Sequence, residues 1–96
     1  MEMTLYKFYS PDIFGGWSWH IDSYTGDEFT SVEAYKVEIP EGFHLAETVS
    51  GEKAFFKDGV SRGYQLTIGR NAESGKPYLV GGDPVEMVPL KVIEKI

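Results

Sequence analysis

Residues 35–43 read YKVEIPEGF, and this stretch decides the fold class. Apolar Tyr35, Val37 and Ile39 alternate with polar residues, and this period of two places all three on one face of a half-buried β-strand. Proline then ends the strand, because it lacks the N–H donor that a sheet needs, and the glycine that follows favours a turn. The stretch therefore predicts a strand, a turn and a return strand that begins at Phe43.

A second alternating stretch supports the same interpretation. Residues 64–68 read YQLTI and place Tyr64, Leu66 and Ile68 on one face. Just before them, residues 57–59 (KDG) predict a hairpin turn, because Asp-Gly supplies the positive φ of a tight turn. Glycine and proline recur every ~8–12 residues, as is typical of short strands joined by turns. Further strands are predicted at residues 4–9, 17–24, 54–56, 78–80 and 90–94.

These patterns predict an all-β fold, a compact antiparallel sandwich or a small partly open barrel of about 6–7 short strands. The alternative is a β-rich α+β fold with one short helical turn, because Asp83 and Pro84 fit the cap and first position of a helix. Residues 43–50 fit either a strand or a helix. Residues 1–96 are expected to form a single domain, because a second core would leave each half too small to fold alone.

The composition of the chain indicates its cellular compartment and excludes some kinds of catalytic and metal site. The chain has no cysteine, which favours a reducing compartment and excludes thiolate zinc sites and cysteine nucleophiles. The first residues carry neither the basic start nor the apolar run of a signal peptide, and no apolar run is long enough to span a membrane. We therefore expect a cytoplasmic protein that does not cross a membrane.

Charge is distributed unevenly along the chain. The net charge is −6, and residues 1–48 hold nine acids against Lys7 and Lys36. A strongly negative region attracts basic partners and repels nucleic acid. The charge pattern predicts a non-catalytic module, inhibitor or accessory protein that binds a protein with a basic surface, and its sharpest form is an inhibitor that mimics the charge of nucleic acid. The oligomeric state is left open.

Aromatic residues flank this acidic region. Trp17 and Trp19 lie on one face of the predicted strand, either in the core or exposed as anchors for a partner. If exposed, the pair could instead stack on a sugar ring or another small ligand, which is an alternative function. The residues predicted to bind a partner are Trp17, Trp19, Tyr24, Asp27, Glu28, Glu33, Glu38 and Glu41.

Two further alternatives depend on other side chains. His20 and Asp22 point the same way on a strand, so they could form a pH-sensitive pair or serve a small hydrolase, although no serine nearby lies in an activating context. His20 and His44 match no metal-ligand spacing. No glycine-rich phosphate motif is present, so we expect neither catalysis nor a cofactor.

The region 53–76 carries the basic residues of a possible nucleic-acid surface. Five cations lie there among aromatic side chains that could stack on bases. The net charge of −6 opposes this alternative, so nucleic acid is an unfavoured partner. The residues concerned are Lys53, Lys57, Arg62, Arg70 and Lys76, with Phe55, Phe56 and Tyr64 between them.

Overall fold

Two antiparallel β-sheets make up the structure, a computed structural model that describes residues 1–11, 15–22, 31–67 and 75–96. The predicted all-β class is confirmed, with nine strands in the described residues where about 6–7 were expected. The strands are β1 (Glu2–Tyr9), β2 (Trp17–His20), β3 (Ser31–Glu38), β4 (Phe43–Glu47), β5 (Lys53–Lys57), β6 (Gly63–Leu66), β7 (Tyr78–Gly81), β8 (Glu86–Pro89) and β9 (Lys91–Lys95).

The strand order explains how the two sheets meet. The four-stranded sheet has the order β2-β1-β3-β9, and the five-stranded sheet has the order β4-β5-β6-β7-β8. The chain passes from the second sheet to the first at Leu90, between β8 and β9. At the other side, the Trp19 N–H donates to the Thr67 carbonyl over 3.3 Å, which brings the edge of β2 to the end of β6. A sandwich or a partly open barrel describes this arrangement.

One core lies between the sheets. Leu5 and Val37 of the four-stranded sheet are fully buried, as are Phe55 and Leu79 of the five-stranded sheet. The sequence alternation produces this face, because the inward residues of β3 and β5 pair with apolar residues of their neighbours, Tyr35 with Leu5 and Phe55 with Leu45. Trp17, Trp19, Ile39, Tyr64 and Leu90 complete the buried cluster.

The residues predicted to face inward are confirmed, although two of them are less buried than the others. Val37, Ile39 and Tyr64 are buried, whereas Tyr35 and Leu66 are half-buried and pack against the core from its margin. Ile68 lies outside the described residues. Gly59 has φ +80°, and the Val60 N–H donates to the Lys57 carbonyl over 2.9 Å, so the turn predicted at residues 57–59 is confirmed.

Two local predictions are corrected or decided by the sheet. Residues 43–47 form a strand, because each of them pairs with β5, and no helix starts there. The helical turn predicted after Asp83 is wrong, since Glu86–Pro89 forms β8 along β7 and Val88 packs against the core. Burial of one face against Leu79 outweighs the local capping signal. The described residues include no helix that is long and apolar enough to cross a membrane.

Candidate functional site

The two tryptophans lie in the core, which contradicts the exposed position that an anchor or a sugar platform requires. Trp17 is 9% exposed and Trp19 is 4% exposed. Their strand β2 pairs with β1 so that Trp17 lies opposite Tyr9 and Trp19 opposite Lys7, all on the face that turns toward the second sheet. A residue with so little surface cannot supply the central contact of an interface. The carbohydrate alternative loses its platform for the same reason.

What the tryptophans do instead is surround an ammonium group. The Lys7 Nζ lies 5.2 Å from the ring centroid of Trp17, 5.6 Å from that of Trp19 and 5.4 Å from that of Tyr9. We call these three rings the aromatic cage. The Trp19 Nε1–H donates to the Gly75 carbonyl over 3.1 Å, which fixes one wall. A cation within about 6 Å of an aromatic face is attracted by the ring quadrupole, so the cage is filled by the chain itself.

Glu33 is the negative counterpart beside the cage. Its Oε1 accepts hydrogen bonds from the hydroxyls of Tyr9 at 2.8 Å and Tyr35 at 2.9 Å, and its Oε2 accepts from Lys95 Nζ at 2.6 Å. These bonds, that of Lys95 first, lower the pKa of Glu33 to about 2. Desolvation of Tyr9, followed by its bond to Glu33, raises the pKa of that phenol to about 12. Glu33 therefore holds β3 to β1 and β9 and is not a free acid for a partner.

The other predicted acids that the structure describes, Glu38 and Glu41, lie apart from Glu33. Glu38 and Glu41 are exposed, and Glu38 lies five positions from Glu33 on β3, about 17 Å away at the rise of a strand. Asp22 is exposed and its carboxylate lies 4.0 Å from Lys53 Nζ. Tyr24, Asp27 and Glu28 lie outside the described residues. Glu38 and Glu41 line one concave surface, and Glu33 does not belong to it.

His20 finds a hydroxyl partner on its own strand. Its Nε2 lies 2.7 Å from Ser18 Oγ, and its ring meets Phe8 edge to face at 4.9 Å between centroids. Desolvation lowers the pKa of His20. Ser18 is only 2% exposed, so the hydroxyl that the imidazole could activate is out of reach of a substrate. Within the described residues, the His20 imidazole therefore has a short contact with a serine hydroxyl, but that hydroxyl is buried.

The second histidine lies on the other sheet. His44 Nδ1 is 2.7 Å from Asp58 Oδ1, and its ring stacks on Phe56 at 6.0 Å between centroids. Within the described part of the chain, no three histidine or acidic side chains converge as metal ligands.

The basic region does not offer its aromatic residues for stacking. Phe55 is fully buried and Tyr64 is 5% exposed, so of the three aromatic residues named above only Phe56 turns outward. Lys57 Nζ is 3.2 Å from Glu86 Oε1, and Lys53 faces Asp22. Of the aromatic residues predicted to stack on bases, only Phe56 therefore lies where a base could reach it.

An apolar surface that sequence reasoning missed covers the outer side of the five-stranded sheet. In an antiparallel sheet with one solvated face, outward positions are normally polar. Here the ten outward positions include no aspartate, glutamate, lysine or arginine. We call them the outer face: His44, Ala46, Ala54, Phe56, Gly63, Gln65, Tyr78, Val80, Met87 and Pro89.

Exposure shows that this surface meets solvent. Met87 is 49% exposed. On the loops beside β4 and β5, Val49 is fully exposed and Val60 is 42% exposed. A groove of about 510 Å³ is lined by Phe56, Ala46 and both valines. A sequence signal existed: consecutive apolar residues such as Phe55-Phe56 in one strand must point to opposite faces.

Searches with the chain against protein-family models, curated proteins and solved structures give no match in any of the three.

Proposed function

We propose that this chain is a non-catalytic module that binds another protein through the outer face. The observation that carries the proposal is the absence of formal charge from all ten outward positions of the five-stranded sheet. Contiguous exposed apolar surface of this kind is uncommon on proteins that work alone, and it marks sites of association.

The negative charge of the chain favours a positively charged partner. The net charge of −6 attracts a basic protein over distances beyond contact, and Glu47 lines the groove directly. The acidic residues would set the rate at which the two proteins meet. The apolar outer face would set the lifetime of the complex. An inhibitory or accessory role fits this division, in which binding and not chemistry is the output.

The test compares two doubly substituted variants of equal charge. Val60→Asp with Met87→Asp places two carboxylates on or beside the outer face, at side chains 42% and 49% exposed. Val92→Asp with Ile93→Asp adds the same charge to β9, at side chains 39% and 41% exposed. Each variant and the original chain are used to capture partners from the native host, and every captured protein is then purified and titrated.

We expect the outer-face variant to lose at least about tenfold in affinity for a genuine partner, which is 1.4 kcal/mol. The β9 variant should bind like the original chain. A partner that binds the outer-face variant as tightly as the β9 variant would refute the assignment of the surface. Turnover of a substrate by the purified chain would refute the non-catalytic role.

A further inference from the structure

Strand β4 lies at an edge of its sheet, and among the described residues it is the one of the four edge strands that carries no protecting feature. An exposed edge presents unpaired N–H and C=O groups, and proteins normally guard it with charge, proline or a covering segment. The β2 edge bonds to Thr67 through Trp19. Strand β9 carries three charges in five residues, and β8 ends in Pro89. Strand β4 reads FHLAE, with one charge at its end.

The free groups of β4 can be assigned from its pairing with β5. The Thr48 N–H donates to Glu52 and the Gly42 carbonyl accepts from Asp58, so even-numbered residues bond to β5. Bonding direction alternates along an antiparallel strand. The amides of Leu45 and Glu47 and the carbonyls of Phe43, Leu45 and Glu47 therefore point away from β5. Among the described residues, no backbone group bonds to this side of Leu45 or Glu47.

We propose that two copies of this chain associate by antiparallel pairing of β4 with β4, with the two-fold axis at Leu45. This register places Leu45 opposite its copy and Phe43 opposite Glu47, so the outward groups of one edge meet those of the other. His44 lies opposite Ala46, and the glutamate faces a phenylalanine. No like charges oppose each other, which makes the edge complementary to itself.

Pairing also joins the two outer faces into one ten-stranded surface. His44 and Ala46 lie on that face at the junction, so their apolar contacts add to the backbone bonds. Five paired residues bury less area than a standard stable interface, so the dimer is weak and depends on concentration. The inference does not rest on the proposed function, because it concerns the edge of the sheet and a second copy of the chain.

The first test removes one donor from the edge. Glu47→Pro deletes an outward N–H while leaving the bonds to β5 in place, since proline is tolerated on an edge strand whose N–H faces solvent. Glu47→Ala removes the same carboxylate and keeps the N–H. Sedimentation equilibrium from about 10 µM to about 1 mM brackets weak association. The original chain and Glu47→Ala should dimerise within this range, and Glu47→Pro should weaken the dimer at least about fivefold.

The second test checks the register. His44→Lys with Ala46→Lys places two pairs of like charges across the axis, whereas His44→Glu with Ala46→Lys places two opposite pairs there. We expect the first variant to be monomeric and the second to dimerise. Equal association of the two variants, a monomeric original chain at about 1 mM, or equal behaviour of Glu47→Pro and Glu47→Ala would overturn the proposal. Partner capture by the variant substituted at Val60 and Met87 is measured separately. The dimer and the proposed binding function can therefore be refuted independently of each other.

Discussion

The position of the Lys7 side chain depends on contacts with other strands, which the neighbouring sequence does not predict. Its ammonium lies between 5.2 and 5.6 Å from three ring centroids, two of them tryptophans of the neighbouring strand. The pKa of Lys7 is lowered, because desolvation outweighs the Glu33 carboxylate, which acts in the opposite direction. The attraction of the three rings favours the charged form of the side chain.

Removing this charge should destabilise the fold. Lys7→Met keeps a long apolar side chain in the cage and loses the cation–π contacts, which together contribute about 1–2 kcal/mol in a partly desolvated site. Lys53→Met is the control, because Lys53 is exposed and its Nζ lies as far as 4.0 Å from the Asp22 carboxylate. Chemical denaturation of both variants measures the difference. Equal midpoints for the two would show that the cage does not stabilise the protein.

Glu33 predicts a defined acid sensitivity. Its pKa is about 2 in the folded chain and 4.5 for the isolated group, so the unfolded state binds the proton more readily. The carboxylate therefore contributes stability that is fully present above pH 4.5 and is lost as the pH falls toward 2. Glu33→Gln should be less stable at neutral pH and should show a flatter decline of melting temperature across this window. A decline as steep as that of the original chain would contradict this assignment.

The same cluster removes Glu33 from the acids that are available to bind a partner. Glu33 was expected to contribute to an acidic binding surface, but it accepts three hydrogen bonds from β1, from its own strand and from β9. Reversing it would place a cation beside Lys95 and Lys7. Effects of Glu33→Lys on binding would therefore report damage to the sheet. Among the predicted acids that the structure describes, Glu38 and Glu41 are exposed and suit a charge-reversal experiment.

Among the elements, β7 illustrates a requirement for glycine inside a strand. A β-carbon added to Gly81 would lie 2.8 Å from Cγ of the buried Tyr64 ring, whereas one added to Gly63 would lie 3.6 Å from its nearest neighbours. Neither glycine has a positive φ, so only the available space differs. Gly81 lets the Tyr64 ring lie flat against β7, with its hydroxyl donating to Glu86 over 2.8 Å.

The two glycines give a matched pair of substitutions. Gly81→Ala should cost about 1–3 kcal/mol of unfolding free energy, because overpacking displaces the Tyr64 ring. Gly63→Ala should stay within about 0.5 kcal/mol of the original chain, since the new methyl makes ordinary contacts. Urea unfolding followed by tryptophan fluorescence measures both. The assignment is wrong if Gly63→Ala proves the more damaging of the two.

At the scale of the elements, the sequence predicted correctly those features that depend on a single strand or turn. The alternation in residues 35–39 and the Asp-Gly turn at 58–59 depend on neighbours in the chain, and both are confirmed. The helical turn after Asp83 failed because its cap signal is local, whereas β8 forms by pairing with β7. Pairing partners that are set by the whole sheet override a single favourable cap.

For the whole molecule, the charge of −6 predicts a measurable effect on association. Glu38→Lys together with Glu41→Lys should slow binding to a basic partner at least about twofold, because exposed charges act mainly on the rate of encounter. The dissociation rate should change less. Near 1 M salt, where screening acts within about 3 Å, the double variant and the original chain should associate at similar rates. A difference that persists in high salt would contradict the steering role.

The sequence by itself determined the class of structure and the strands whose two faces differ. A period of two fixes which side chains share a face, and Pro40 and Gly59 mark turns through backbone chemistry that acts within a few residues. These properties need no knowledge of the rest of the fold.

Only the tertiary structure decided which face is inside and which distant residues meet. Glu33 and Lys95 are 62 residues apart, and their contact follows from the order β1-β3-β9. The placement of Trp17 and Trp19 around Lys7 follows from the pairing of β2 with β1. Likewise, Phe56 became a surface residue because Phe55 fills the core from the same strand. Strand order and register are properties of the sheet as a whole, and a one-residue shift would exchange its faces, so no single stretch of sequence contains them.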